Sequence, residues 1–232
     1  MKLFIDSHVH YYPQYNSGKM YAAFMRRTLQ HGAGIGVMML AEREGMGFPG
    51  TRAARPLVVI PGRQIACAER VEILALGTEA TFNDGIPAKD AIRRVADAGA
   101  LPVLAWGLGK WMFKREKVVE DLLATFKPSE LAIGDSSMRP VFWREPRLMR
   151  QARAAGFRIL HGSDPLPPKS EETRAGQYGD IVDIDDLPEL DESKPVAPQI
   201  LRILREAPLT TVGHRAGPIQ FLTRMIISKI VK

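Results

Sequence analysis

The sequence predicts an α/β fold, a distorted TIM-like (β/α) barrel of seven or eight strands, in one domain spanning residues 1–232. Three observations carry this reading. Short apolar runs recur at Leu3–His8, Ile35–Leu40, Leu57–Ile60, Val71–Leu76, Leu101–Ala105, Leu131–Gly134, Phe157–Leu160 and Leu209–Val212. Several are almost continuously apolar, as are strands buried on both faces of a parallel sheet. Helix-like segments separate most of them, which implies strand–helix units with right-handed crossovers. Eight such strands fit a closed barrel better than an open sheet.

The helices follow in order. Met20–Gln30 is the first. Leu57–Ile60 and Val71–Leu76 leave no room for a helix between them and predict a hairpin. Ala88–Ala98 follows Pro87 and stops at Gly99, a sound start and stop. Arg115–Phe126 ends before Pro128, and Glu145–Ala155 has Pro146 in its first turn and Gly156 at its end. Gln199–Glu206 and the amphipathic tail Ile219–Val231 complete the set. Residues 165–196 are rich in Pro, Asp and Glu and lack an apolar period, so they read as an acidic loop excursion, either a lid or disordered.

Composition narrows the class. Hydrophobic residues make up 45% and charged residues 25%, ordinary for a chain that buries a core. No window approaches the ~18 apolar residues of a membrane span. The start turns polar after three apolar residues, which predicts no signal peptide. Cys67 is the single cysteine, so no internal disulfide forms, and a cytoplasmic location is expected. Residues 170–192 hold nine acids against one base, a local charge of −8 that leaves +14 on the rest of a chain of net charge +6. A basic body attracts anions. No basic stripe carries interleaved aromatics, so the expected partner is a small anionic ligand and not nucleic acid. A homo-oligomer is compatible with the composition.

The chemistry concentrates at strand ends. Asp6, His8 and His10 alternate along the first strand, which places them on one face. Two imidazoles delivered to a barrel mouth suit a divalent metal. Two packed, hydrogen-bonded core histidines are the alternative. Arg43, Arg63, Lys110, Arg139 and Arg215 also fall at strand ends, where guanidinium and ammonium groups can converge on an anion. His214 sits beside Arg215, and Arg174 and Tyr178 lie where a lid would cross the mouth. His161, an odd number of residues from Asp164, reads as structural.

Several of these segments resemble the PHP (polymerase and histidinol phosphatase) family and the amidohydrolases, in the same order. They are His8-Val9-His10, Met38-Met39-Leu40-Ala41-Glu42-Arg43, Ile60-Pro61-Gly62-Arg63-Gln64, Pro102-Val103-Leu104-Ala105-Trp106 and Gly162-Ser163-Asp164-Pro165-Leu166. The pattern is similar to a divergent bacterial branch, because Arg43, Gln64, Trp106 and Leu166 replace ligands of the family. The resemblance implies a metal-dependent hydrolase of phosphoesterase or amidohydrolase type. It implies one divalent ion (Zn, Mn or Fe) held by His8, His10 and Asp164, with Asp135 as general base or extra ligand. Arg43, Gln64, Lys110, Arg139, Arg174, His214 and Arg215 would surround the substrate. Arg43 is expected inside the mouth, paired with Asp164 or an anion. The alternative is a metal-free pseudoenzyme or anion-binding module without a cofactor.

Overall fold

The computed structural model describes residues 1–44, 52–54, 56–183 and 193–230. Two mixed sheets form the framework. The first has six strands in the order β11 (Thr210–Gly213), β10 (Tyr178–Asp183), β1 (Lys2–Val9), β2 (Ile35–Leu40), β4 (Leu57–Ile60) and β3 (Arg52–Ala54). The second has five, β5 (Gly62–Ala66), β6 (Glu72–Leu76), β7 (Leu101–Ala105), β8 (Ala132–Ser136) and β9 (Ile159–Gly162). The hairpin expected over 57–76 is divided between the sheets. β4 runs parallel to β2, while β5, which the apolar runs do not mark, pairs antiparallel with β6.

Helices pack on both sheets. Asn16 caps α1 (Ser17–Gln30) by accepting a hydrogen bond from the Lys19 N–H at 3.0 Å. α1 covers Phe4, Met38, Leu40 and Val59. α2 (Ala88–Asp97), α3 (Lys114–Thr125) and α4 (Arg147–Ala154) cover Ile65, Ile73, Leu104, Ile133 and Ile159 of the second sheet. A third apolar cluster draws on both sheets, from Leu3, Ile5 and Val37 to Leu74, Val103 and Leu160. α5 (Val196–Glu206) adds Ile200, Leu201, Ile203 and Leu204 to it. A short 3-10 helix, Lys169–Arg174, and α6 (Pro218–Ile230) complete the described elements.

The fold is therefore α/β, but the expected TIM-like barrel is not formed. The physical reason lies in β1. A strand has two edges, and those of β1 are taken by β2 on one side and by antiparallel β10 on the other. β9 cannot extend a ladder there. β10 falls within the segment read as the acidic excursion, as does the 3-10 helix; residues 184–192 of that segment lie outside the described residues.

The two sheets still touch at two seams, and each has a glycine. At the first, the Glu42 N–H donates to Gly62 O and the Gln64 N–H donates to Glu42 O. A Cβ on Gly62 would stand 2.2 Å from Leu40 O. At the second, Ser7 Oγ donates to His161 O at 2.7 Å and the Asp164 N–H donates to His8 O at 2.8 Å. A Cβ on Gly162 would stand 2.5 Å from His8 N and 2.4 Å from His8 Cβ. Gly162→Ala should thus force β9 off β1 and cost about 1–3 kcal/mol, the usual range for overpacking. Gly34, with open space at its Cβ position, is the control. Denaturant unfolding should show a large loss for Gly162→Ala and little for Gly34→Ala; equal losses would contradict the seam.

Candidate metal centre

β1 does not deliver its polar residues by simple alternation. Its register against β2 shifts between Asp6 and Val9. Leu3 and Ile5 face the cluster shared by both sheets, and Phe4 faces α1. Beyond the shift Val9 joins Phe4 on the α1 side, so the parity has inverted. The expectation that Asp6, His8 and His10 share a face is corrected by this irregularity. Asp6 instead accepts the N–H groups of Ser163 (2.9 Å), Gly176 (2.7 Å) and His8 (3.2 Å) and the Ser163 hydroxyl (2.5 Å). Burial raises its carboxyl to about 6 against the pull of these four donors.

His8 and His10 turn to Asp164. Their Nε2 atoms lie 3.2 Å apart, and each lies near Asp164 Oδ1, at 3.7 Å from His8 and 3.5 Å from His10. Ligands ~2.1 Å from one tetrahedral ion stand ~3.4 Å from one another. The three observed spacings bracket that value, and the three residues form a compact group of ligand atoms within 4.8 Å. Two imidazoles and a carboxylate are a donor set for Zn, Mn or Fe. These residues fit a divalent ion. Gln64 joins them, its Oε1 lying 3.2 Å from His8 Nε2.

The electrostatics agree. Burial, aided by His8 and Arg43, lowers the His10 pKa below its ordinary 6.5 and favours the neutral, ligating form. Burial disfavours the Asp164 charge, but His8, His10 and Arg224 outweigh it and hold the carboxyl well below its usual value. Asp164 is held in the left-handed region, with φ 49°, a strained backbone of the kind found at functional sites. Arg224 of α6 supports it. The guanidinium donates to Asp164 O at 2.6 Å and to Ser137 Oγ at 2.9 Å and pairs with Glu171 at 3.0 Å.

The remaining expected site residues are placed as follows. Asp135 is buried in a two-pronged pair with Arg139, at 2.8 and 2.5 Å, and accepts the Tyr178 hydroxyl at 3.2 Å. Lys110 pairs with Glu72. Arg174 pairs with Glu171 at 2.5 Å and donates to Gln177 at 2.9 Å. Arg215 donates to the carbonyls of Pro140 and Trp143. His214 is exposed. Trp106 packs among the residues beneath α2–α4 and edge-on to Trp143. Arg43 is exposed and does not pair with Asp164; its charge reaches His10 and Tyr12. His161 Nδ1 donates to Asp180 Oδ1 at 2.7 Å, and the ring packs edge-on against Tyr178.

Three residues at the site, Tyr12, Glu42 and Arg224, were not singled out from the sequence. His10 Nδ1, Tyr12 OH and Glu42 Oε2 are buried and lack a partner among the described residues. Tyr12 stacks against His10, and Glu42 accepts the Tyr11 N–H at 2.9 Å. The one sequence signal of Tyr12 and Glu42 was position, two residues after His10 and directly before Arg43. Arg224 gave none, since a basic residue on an amphipathic tail reads as surface.

No protein-family model and no curated protein matches the sequence. Solved structures match in fold. PsfC from Pseudomonas syringae PB-5123 is 12% identical, with a TM-score of 0.60 over 100% of this chain and 99% of that one. The lesion-specific endonuclease PfuEndoQ from Pyrococcus furiosus is 12% identical, with a TM-score of 0.54 over 92% of this chain. The chain spans 59% of that endonuclease. An Endonuclease Q complex with a 27-mer duplex substrate carrying an abasic lesion at the active site gives 11% identity and a TM-score of 0.51, over 93% of this chain and 60% of that one. At these identities the likeness is one of fold. Among the described residues no helix is long and apolar enough to cross a membrane.

Burial also sets a pH dependence. It raises the Glu42 carboxyl from 4.5 to about 7, against the Tyr11 N–H and the charges of Arg63 and Arg43. The folded state then holds this proton more tightly than the unfolded chain. Stability from Glu42 is full below about 4.5 and is lost as pH rises to about 7. Glu42→Gln should remove this loss. Between pH 5 and pH 8, the unfolding free energy of the wild type should fall relative to that of the variant by on the order of 2 kcal/mol. Parallel profiles would contradict it.

Proposed function

We propose that this chain is a metal-dependent hydrolase with a PHP-like site, acting on a small phosphoester. The observation that carries the proposal is the convergence of His8 Nε2, His10 Nε2 and Asp164 Oδ1 at ligand spacing. A divalent ion bound there would lower the pKa of bound water toward ~7 and polarise the bond to be cleaved. His8, His10 and Asp164 would hold it. Gln64 Oε1, which lies beside the same Nε2, would face the ion as a further oxygen donor. Arg43, exposed beside the centre, would meet the anionic part of the substrate.

Asp135 has no part in this proposal, because Arg139 holds both its oxygens. Lys110, Arg139, Arg174 and Arg215 are likewise engaged within the fold. What the endonucleases of similar fold act on is carried over only as a bond class, the phosphoester. An amide of a carboxylate-bearing compound is the competing substrate class. A metal-free anion-binding module is the second reading, favoured by Gln64 and Arg43 standing near the imidazoles.

The deciding experiment is metal analysis of protein purified without an affinity tag. About one equivalent of Zn, Mn or Fe is expected, falling below about a tenth in His10→Ala and in Asp164→Asn. A wild type below about a tenth of an equivalent, with no uptake when metal is added, would support the metal-free module and end the hydrolase reading.

A further inference from the structure

Tyr12 lies two residues beyond His10 and is 5% exposed. Its ring is fixed between two others, centred 5.7 Å from His10 and 5.3 Å edge-on from Tyr15. The two phenols then part ways. The Tyr15 hydroxyl donates to Leu166 O. The Tyr12 hydroxyl is buried without a partner among the described residues. A buried hydroxyl left unpaired is costly, and such atoms mark places that a ligand or ordered water completes.

The surroundings define what that ligand would be. The charges that reach the hydroxyl are those of Arg43, Asp164, Glu42 and Glu72. None of the three acids takes its proton. Asp164 faces the two imidazoles and Glu72 pairs with Lys110, while Glu42 accepts the Tyr11 N–H at Oε1 and its unpaired Oε2 makes no hydrogen bond to the phenol. A phenol at neutral pH is a donor. It needs an acceptor from outside the chain, and Arg43 adds a permanent positive charge nearby. Donor and cation together suit an anionic oxygen.

We propose that the Tyr12 hydroxyl donates a hydrogen bond to a phosphoryl oxygen of the substrate held at the His8–His10–Asp164 centre, which makes Tyr12 a substrate-binding residue. This rests on the hydrolase reading above and adds the group that orients the phosphoester. The ring of Tyr12 packs on His10 and serves the fold; the hydroxyl alone serves the ligand. Removing only the oxygen separates the two.

Tyr12→Phe is the variant, inorganic phosphate the probe, and isothermal titration calorimetry the measurement, on zinc-loaded and on metal-free protein. The variant should bind zinc within about two-fold of the wild type. Its phosphate dissociation constant should rise about ten-fold or more, the usual effect of losing a hydrogen bond to a charged group. Its melting temperature should not fall, since the hydroxyl has no internal partner to lose. Phosphate binding equal to the wild type would overturn the proposal. A lowered melting temperature would also overturn it, by showing a structural bond. If the wild type takes up no zinc, the hydrolase reading fails, while phosphate titration of the metal-free pair still tests Tyr12. Absence of phosphate binding to both forms of the wild type would overturn the Tyr12 assignment itself.

Discussion

The site depends on how closely the exit of β9 can lie against β1. Gly162 has no side chain, and a Cβ there would enter the space of His8. With that space open, the Asp164 N–H reaches His8 O and the Ser163 N–H and hydroxyl reach Asp6. The seam is made of single bonds and side chains and not of a ladder, because β10 occupies the edge of β1. It nonetheless brings a carboxylate from residue 164 to two imidazoles from residues 8 and 10. Asp6 stabilises the contact from behind, through donors on β1, after β9 and before β10. A carboxylate buried for this purpose is poorly solvated, and four donors offset that cost only in part.

Charge is distributed on the same logic. An arginine cannot shed its proton, so a buried one must meet an acid or carbonyl. Arg139 meets Asp135, and Arg224 meets Glu171 and Asp164 O. Such pairs add little net stability but fix geometry. Arg224 is the clearest case, since it ties the tail helix to the left-handed backbone of Asp164. Arg43 differs in being exposed, with its charge felt by His10 and Tyr12. The unpaired buried atoms His10 Nδ1, Tyr12 OH and Glu42 Oε2 belong to residues flanking the two strand exits that face this centre. An interior in which most polar groups are paired, with these exceptions near one place, has the pattern of a ligand site.

Much of the framework was legible. Ile35–Leu40, Leu57–Ile60 and Leu101–Ala105 coincide with β2, β4 and β7, because short, almost continuously apolar runs leave little choice. Ala88–Ala98 matches α2 to within a residue, bracketed by Pro87 and Gly99. β10 was not legible, and β5 was legible only through the likeness of Ile60-Pro61-Gly62-Arg63-Gln64 to the PHP pattern. Gly62–Ala66 contains Arg63 and Gln64, and Tyr178–Asp183 lies in the most acidic part of the chain. Both read as polar, yet Gln64 meets His8 and Asp180 meets His161 inside the fold. β10 became a strand by pairing with β1, far along the chain, whereas β5 pairs with the next strand, β6.

The sequence by itself determined the α/β class, most strand and helix positions, and the three residues with the chemistry to hold a metal. Local periodicity and side-chain type carry that information without reference to the rest of the chain. Only the tertiary structure decided that the sheets stay two and do not close, because the antiparallel return of β10 to β1 is a long-range pairing. Only it decided that a register shift turns His8 and His10 away from Asp6, since alternation along a strand cannot reveal an inserted residue. It also decided which charges are free to act. Arg139 pairs with Asp135 at 2.5 Å, a contact that no spacing in the sequence announces.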